Sequence, residues 1–233
     1  SPQPNKVNLK LSKSLRILHV TNFNERHDGR LFFNTGRRLN NGFIRLGHSV
    51  LEFSDRDIVK HYKSLKDYTG AKTLNEKLIN TVYNYKPDLL IFGHADLIKD
   101  KTLAYLRDNY KNLRTAQWFL DPLIKNGPDY NKNKLRILDK MEFTDANFIT
   151  TSPDVLNFLP KKKLCLFMPN PADPSFEVLN NFENNNCSMD VFFALSHGVH
   201  RGILKKGKYD ERADFVNRLV EITPNVKFDL YGI

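Results

Sequence analysis

Cysteine is almost missing from this chain, with two among 233 residues. Cys165 falls inside an apolar strand pattern and Cys187 in a polar segment without a ligand-spaced partner, so neither a disulfide framework nor a zinc site is expected. Long apolar runs are missing too. No stretch approaches the ~20 residues that span a bilayer, and the amino terminus lacks the apolar core of a signal peptide. The expected location is cytoplasmic, with peripheral contact at the inner face of the membrane open to so basic a protein. Acidic residues are in the minority: 26 Asp and Glu against 36 Lys and Arg give a formal net charge of +10. That balance favours nucleotide phosphates, acidic lipid headgroups or nucleic acid without choosing among them. Glycine is missing where a dinucleotide-binding turn or a P-loop needs it, directly after the first strand pattern. There is no G-x-S-x-G elbow, so serine-hydrolase chemistry has no support.

What is present is a regular alternation of strand and helix patterns, in a chain whose 40% hydrophobic content suffices for a sizeable core. Strands are expected at 15–21, 49–53, 88–92, 114–120, 146–150 and 164–167, the last read as buried. Helices are expected at 31–46, 74–85, 97–110 and 135–143. Gly47 is placed to stop the first helix and Pro87 follows the second. Such alternation implies right-handed crossovers and an α/β, Rossmann-like, mostly parallel sheet with helices on both faces. In that architecture the loops at the carboxyl ends of the strands form the binding crevice.

Three prolines within Pro169-Asn170-Pro171-Ala172-Asp173-Pro174 forbid helix and central strand alike. Beyond them a fresh unit opens, with a strand at 191–195 and a helix at 209–222. The expected organisation is a flexible leader over 1–14, where Val7, Leu9 and Leu11 alternate as in a short edge strand, a first domain over 15–176, a linker over 177–189 containing the Asn-rich tract 180–186, and the start of a second domain over 190–233.

Candidate sites follow the strands. The loop Asn22–Arg30 offers His27, Asp28 and Arg30 to a sugar or phosphate, or is a solvated surface loop. Asp55-Arg56-Asp57 spells a paired-carboxylate pattern able to hold a hard cation, although a solvated turn or helix cap explains it as simply. His94 follows the strand Leu89–Phe92, where an imidazole can hydrogen-bond a hydroxyl or shuttle a proton, or sit as a satisfied, partly buried side chain. In Trp118-Phe119-Leu120-Asp121-Pro122 proline ends the strand, Asp121 falls at its crevice end, and Trp118 offers an apolar wall. Desolvation there would make Asp121 a useful base; an ordinary strand cap is the alternative. In the second unit Ser196–Gly202 is a small-residue loop, and Arg201 with Lys205, Lys206 and Lys208 matches a diphosphate or a solvated basic turn.

Pro87-Asp88-Leu89-Leu90-Ile91, Trp118–Pro122, Thr151-Ser152-Pro153-Asp154 and Pro169–Phe176 together resemble GT-B glycosyltransferases, closest in flavour to the family 4 and spore-coat-maturation-like types, over about residues 15 to 233. The resemblance implies an acceptor-side amino-terminal domain and a carboxyl-terminal domain that binds a nucleotide-diphosphate sugar as co-substrate, with no further cofactor and no metal. It implies His94 and Asp121 on the acceptor side, and Gly198 and Arg201, with Lys205 near them, at the donor phosphates. The acceptor would be a glycan, lipid or protein, and nucleic acid is not an expected partner. Two departures stand out: Asn22–Arg30 replaces the glycine-rich first loop of many members, and 228–233 resembles the second strand of the donor domain, which leaves an incomplete donor site expected. A competing reading is a non-catalytic Rossmann-like module for nucleic acid or acidic membrane. It would gather Lys and Arg on one face with aromatics among them, whereas along the sequence the cations are scattered.

Overall fold

Six strands of the first unit pair in parallel in the order β2-β1-β3-β4-β5-β6. The computed structural model describes residues 13–125, 127, 129–179, 183–194 and 211–231. Its elements are β1 (Arg16–Thr21), α1 (Thr35–Arg45), β2 (Ser49–Ser54), α2 (Asp55–His61), α3 (Ala71–Tyr85), β3 (Leu89–Phe92), α4 (Asp100–Asn109), β4 (Arg114–Phe119), α5 (Tyr130–Met141), β5 (Ala146–Ile149), β6 (Leu164–Phe167), β7 (Val191–Ala194), α6 (Glu211–Ile222) and β8 (Phe228–Tyr231). The chain divides into two compact units, Ser1–Phe176 and Glu177–Ile233. Residues 1–12, with the leader strand expected there, lie outside the described residues.

Alternation along the strands sets the two faces. Leu18, Val20, Leu90 and Phe92 pack with Leu74, Leu78 and Val82 of α3 and Leu103 and Leu106 of α4, and Phe119 packs on the same side with Ile137 and Met141 of α5. Ile17, Ile91, Ala116 and Trp118 face the other way, against Leu39 and Phe43 of α1. The fold is therefore α/β and Rossmann-like, with helices on both faces. Because the chain leaves β1 for β2 over one face and reaches β3 over the other, strand order reverses at β1, and the crevice opens there.

Aspartates start the strands. Asp88 Oδ2 accepts the Arg16 N–H at 2.8 Å, Asp145 Oδ2 accepts that of Thr115 at 2.8 Å, and in the second unit Asp190 Oδ2 accepts that of Lys227 at 2.8 Å. Each carboxylate satisfies a backbone donor that the adjacent strand leaves open at its amino end. In the second unit, β7 and β8 pair in parallel and α6 connects them in sequence.

Several expectations change, among them these three. The first helix starts at Thr35 rather than Leu31, because Asn34 accepts the Arg37 N–H at 3.1 Å and donates to the carbonyls of Phe23, Leu31 and Phe32, holding 31–33 as a loop. The strand over 164–167 is not buried: Leu164 and Phe167 are more than half exposed, since β6 closes the edge of the sheet. Thr151–Asp154, read as strand running into helix, gives only a short 3₁₀ turn, Pro153–Val155.

The proline-rich segment is anchored to α1. Asp173, withdrawn from solvent, takes Arg45 Nη2 at 2.7 Å, Asn41 Nδ2 at 2.6 Å and the Ser175 N–H at 2.8 Å. These bonds hold its carboxyl well below the ordinary carboxylate range, the Arg45 contact foremost. Phe176 packs edge-to-face on Phe33, with ring centroids 4.9 Å apart.

Candidate functional site

Two cavities open at the carboxyl ends of β1, β3 and β4, sharing His94 and Trp118. One, of about 300 Å³, lies among Thr21, Asn34, Gly36, Arg56, Leu120 and Asp121. The other, of about 380 Å³, lies against α5, beside Asp96, Gln117, Lys132 and Arg136. Close backbone approach shapes the shared wall. A Cβ on Gly93 would collide with Thr21 Oγ1 and Trp118 Cζ2, and one on Gly36 would come within 2.7 Å of Thr21 Cγ2.

His94 stacks on Phe119, with centroids 4.9 Å apart and 15° between planes. Its Nε2 lies 3.7 Å from Asp121 Oδ2. Burial lowers its affinity for a proton; Asp121 opposes that shift, and Arg136 adds to it. The imidazole is accordingly neutral at pH 7, with a lone pair free to take a proton. Arg136 Nη1 stands 3.9 Å from Asp121 Oδ2, Arg136 also bonds Asp96, and Arg56 lies 3.7 Å from Asp96. The structure thus brings together His94, Asp121 and Trp118 and adds two arginines that sequence reading did not single out. The desolvation expected at Asp121 is not found, because its side chain keeps 43% of its exposure.

Trp118 is fixed from behind by a buried chain of polar groups. Its indole N–H donates to His19 Nε2 at 2.8 Å, the other ring nitrogen of His19 meets Asn40 Oδ1, and Asn40 Nδ2 donates to Glu52 Oε1 at 2.8 Å. Arg37 closes the chain on Glu52 at 2.8 Å. His19 is fully buried, and burial pushes its pKa down to about 4 despite the Asn40 bond. It is a neutral Nδ1–H tautomer, the form that lets Nε2 accept from the indole. Its one outward sign in the sequence is a polar residue on the face shared with Ile17 and Ile91.

The aspartate pair after β2 is not a solvated turn; it lies in the first turn of α2, where the helix-cap alternative put it. Asp55 and Asp57 are buried at the start of α2. Asp57 accepts from the Ser54 hydroxyl, from the Glu25 N–H at 2.8 Å and from Arg26 Nη1 at 2.5 Å. Burial alone would raise its pKa, but these bonds outweigh it. Asp55 accepts only the Arg56 N–H, and burial raises its pKa to about 6. Among the described residues no three His, Cys, Asp or Glu side chains group as a metal site requires.

Asp57 also pins the first loop, so that Glu25–His27 forms a 3₁₀ turn. His27 is half-buried and Asp28 and Arg30 are exposed, and none of the three lines either cavity. Gly198, Arg201 and Lys205 lie outside the described residues. Among the described residues no helix is long and apolar enough to cross a membrane.

No protein-family model matches the chain, and no curated protein matches it. Among solved structures, the glycosyltransferase SnogD from Streptomyces nogalater aligns over 94% of this chain and 64% of its own, at 16% identity and a TM-score of 0.41. The spinosyn rhamnosyltransferase SpnG, complexed with thymidine diphosphate, aligns over 92% and 64%, at 11% identity and a TM-score of 0.39. The chain spans less than two thirds of the length of either protein.

Proposed function

We propose that the chain is the acceptor-side domain and the start of the donor domain of a GT-B glycosyltransferase of the family 4 or spore-coat-maturation-like type. It moves a sugar from a nucleotide-diphosphate sugar to a hydroxyl of a glycan, lipid or protein. The observation that carries this reading is His94 facing Asp121, Nε2 3.7 Å from Oδ2, in the cleft at the strand-order reversal, where burial lowers the ring's proton affinity. A sugar or other alcohol must lose its proton as its oxygen bonds the anomeric carbon, and a neutral imidazole at hydrogen-bond reach takes it. Asp121 stabilises the imidazolium that results. Thr21, Asn34 and the edge of Trp118 would orient the acceptor, as hydroxyl, carboxamide and aromatic groups suit a polyol. The leaving diphosphate departs with the electrons of the broken bond, and Arg201, Lys205 and the backbone around Gly198 would neutralise it without a metal. In this reading 15–176 receives the acceptor, 177–189 links, and 190–233 opens the donor domain.

Thermal-shift screening of nucleotide sugars, followed by assay of nucleoside diphosphate release in the full-length protein, tests the reading. Stabilisation by one nucleotide class is expected, with acceptor-dependent release that falls about 100-fold or more in His94→Asn. Release indifferent to that substitution, or no stabilisation by any nucleotide sugar, would refute it.

A further inference from the structure

At the opposite end of the first unit's sheet, the amino ends of the strands form a basic and aromatic trough. A cavity of about 520 Å³ is lined by Arg16, Tyr83, Lys86, Asp88, Tyr110 and Lys111, among others. A second, of about 330 Å³, shares Tyr110, Lys111 and Leu113 with it and continues past Arg107, Arg114 and Lys163. Residues scattered along the sequence are thus gathered here: Arg16 starts β1, Lys86 ends α3, Lys111 follows α4, and Arg114 starts β4. The geometry points to an anchoring site for an acidic oligosaccharide, which rests on the glycosyl-transfer reading only in making that polymer the acceptor.

Three observations support the choice of ligand. First, two of the three acids lining the trough, Asp88 and Asp145, each hold a strand N–H at 2.8 Å; Asp88 also lies 4.0 Å from Arg16, and Glu142 is exposed, as are the cations Lys86 and Lys111. Lys86 stands at φ 51, a position that favours glycine or asparagine, so a long cation occupies the corner where the backbone would more easily take a small residue. Second, Tyr83 is 66% exposed over the trough, and a phenol presents an apolar face with a polar tip, suited to a sugar ring. Third, the cations are spaced by neutral or acidic hydrogen-bonding groups, Asn109, Asn112 and Asp88. That spacing fits rings rich in hydroxyls with charge on some of them. It fits a polynucleotide less well, since a phosphate at every residue would also meet the carboxylates.

Binding of hyaluronate, which carries a carboxylate on alternate rings, of neutral dextran and of oligothymidylate to the full chain, at low and moderate salt, tests the site. Hyaluronate is expected to bind and dextran not. The double variant Lys86→Glu, Lys111→Glu should weaken that binding about tenfold, each exposed pair being worth up to about fivefold. Tyr83→Ser should weaken it without changing the salt dependence, because no charge is lost. Lys101→Glu, at the start of α4 and remote from the trough, should have little effect. Equal loss from Lys101→Glu would show diffuse attraction and overturn the site, and so would tighter binding of oligothymidylate, which would favour a nucleic-acid module. Polymer binding is read without nucleotide sugar and without any transfer assay, so that failed sugar transfer and failed anchoring remain distinguishable.

Discussion

His94 Nε2 lies 3.7 Å from Asp121 Oδ2, although the two residues leave different strands, β3 and β4. Adjacent parallel strands end side by side, so a residue just beyond each faces the same crevice. If the pair acts in proton transfer, Asp121→Asn should lower turnover by about 100-fold while leaving the denaturation midpoint almost unchanged, given the exposure of Asp121. Near-normal turnover would remove it from the mechanism.

The charges around His94 predict opposite pH shifts. Arg136 lowers and Asp121 raises its proton affinity. Arg136→Gln should therefore move the His94 titration, followed by its ring-proton NMR signal, to higher pH, and Asp121→Asn should move it lower. The acid limb of any activity profile should follow, since the deprotonated ring is the working form. Shifts in the same direction would contradict this electrostatic picture.

His19 predicts how stability responds to acid. Its pKa falls from an ordinary 6.5 to about 4 on folding, so between these values the unfolded chain binds the extra proton. Its contribution is present above pH 6.5 and is lost as pH falls toward 4, by about 3 kcal/mol in total. Trp118 is the sole tryptophan, so its fluorescence reports on the same bond. His19→Gln keeps an acceptor for the indole and a donor for Asn40. It should flatten the stability profile over this range and lose less stability than His19→Ala. An unchanged slope in the glutamine variant would assign the acid response elsewhere.

Asp173→Ala should free Asn41, Arg45 and Ser175 together and loosen the proline-rich segment from α1. Faster proteolytic cleavage within 169–176 and a lower unfolding midpoint are expected. Because the carboxyl is held below its ordinary range, its contribution should persist down to about pH 4, the unfolded value, and fade only below it. Wild-type cleavage kinetics in the variant would show that the prolines alone hold the segment.

Gly93→Ala would push a methyl group into Thr21 and Trp118. Overpacking of this kind costs about 1–3 kcal/mol, and the tryptophan emission should shift with it. A variant with wild-type stability and spectrum would mean that the wall can yield.

Local periodicity made the α/β alternation legible in the sequence, because strands and helices are written in spacings of two and of three to four residues. Gly47, at φ 87, ends α1 as its position implied. His94 and Asp121 were legible for the same reason, since each directly follows a strand pattern. What local pattern does not carry is which strands become neighbours. The sheet order brings His19 and Trp118, 99 residues apart, into one hydrogen bond, and helix α5 delivers Arg136 to Asp121. It also buries Asp55 and Asp57, which local pattern left open between a cation pair, a solvated turn and a helix cap, and leaves β6 half open at an edge although its residues are as apolar as a core strand's. Amino-acid type sets what a side chain can do. Its proton affinity, partners and exposure depend on the low-dielectric surroundings and hydrogen bonds supplied by residues distant in sequence, and those exist only once the strands have found their order.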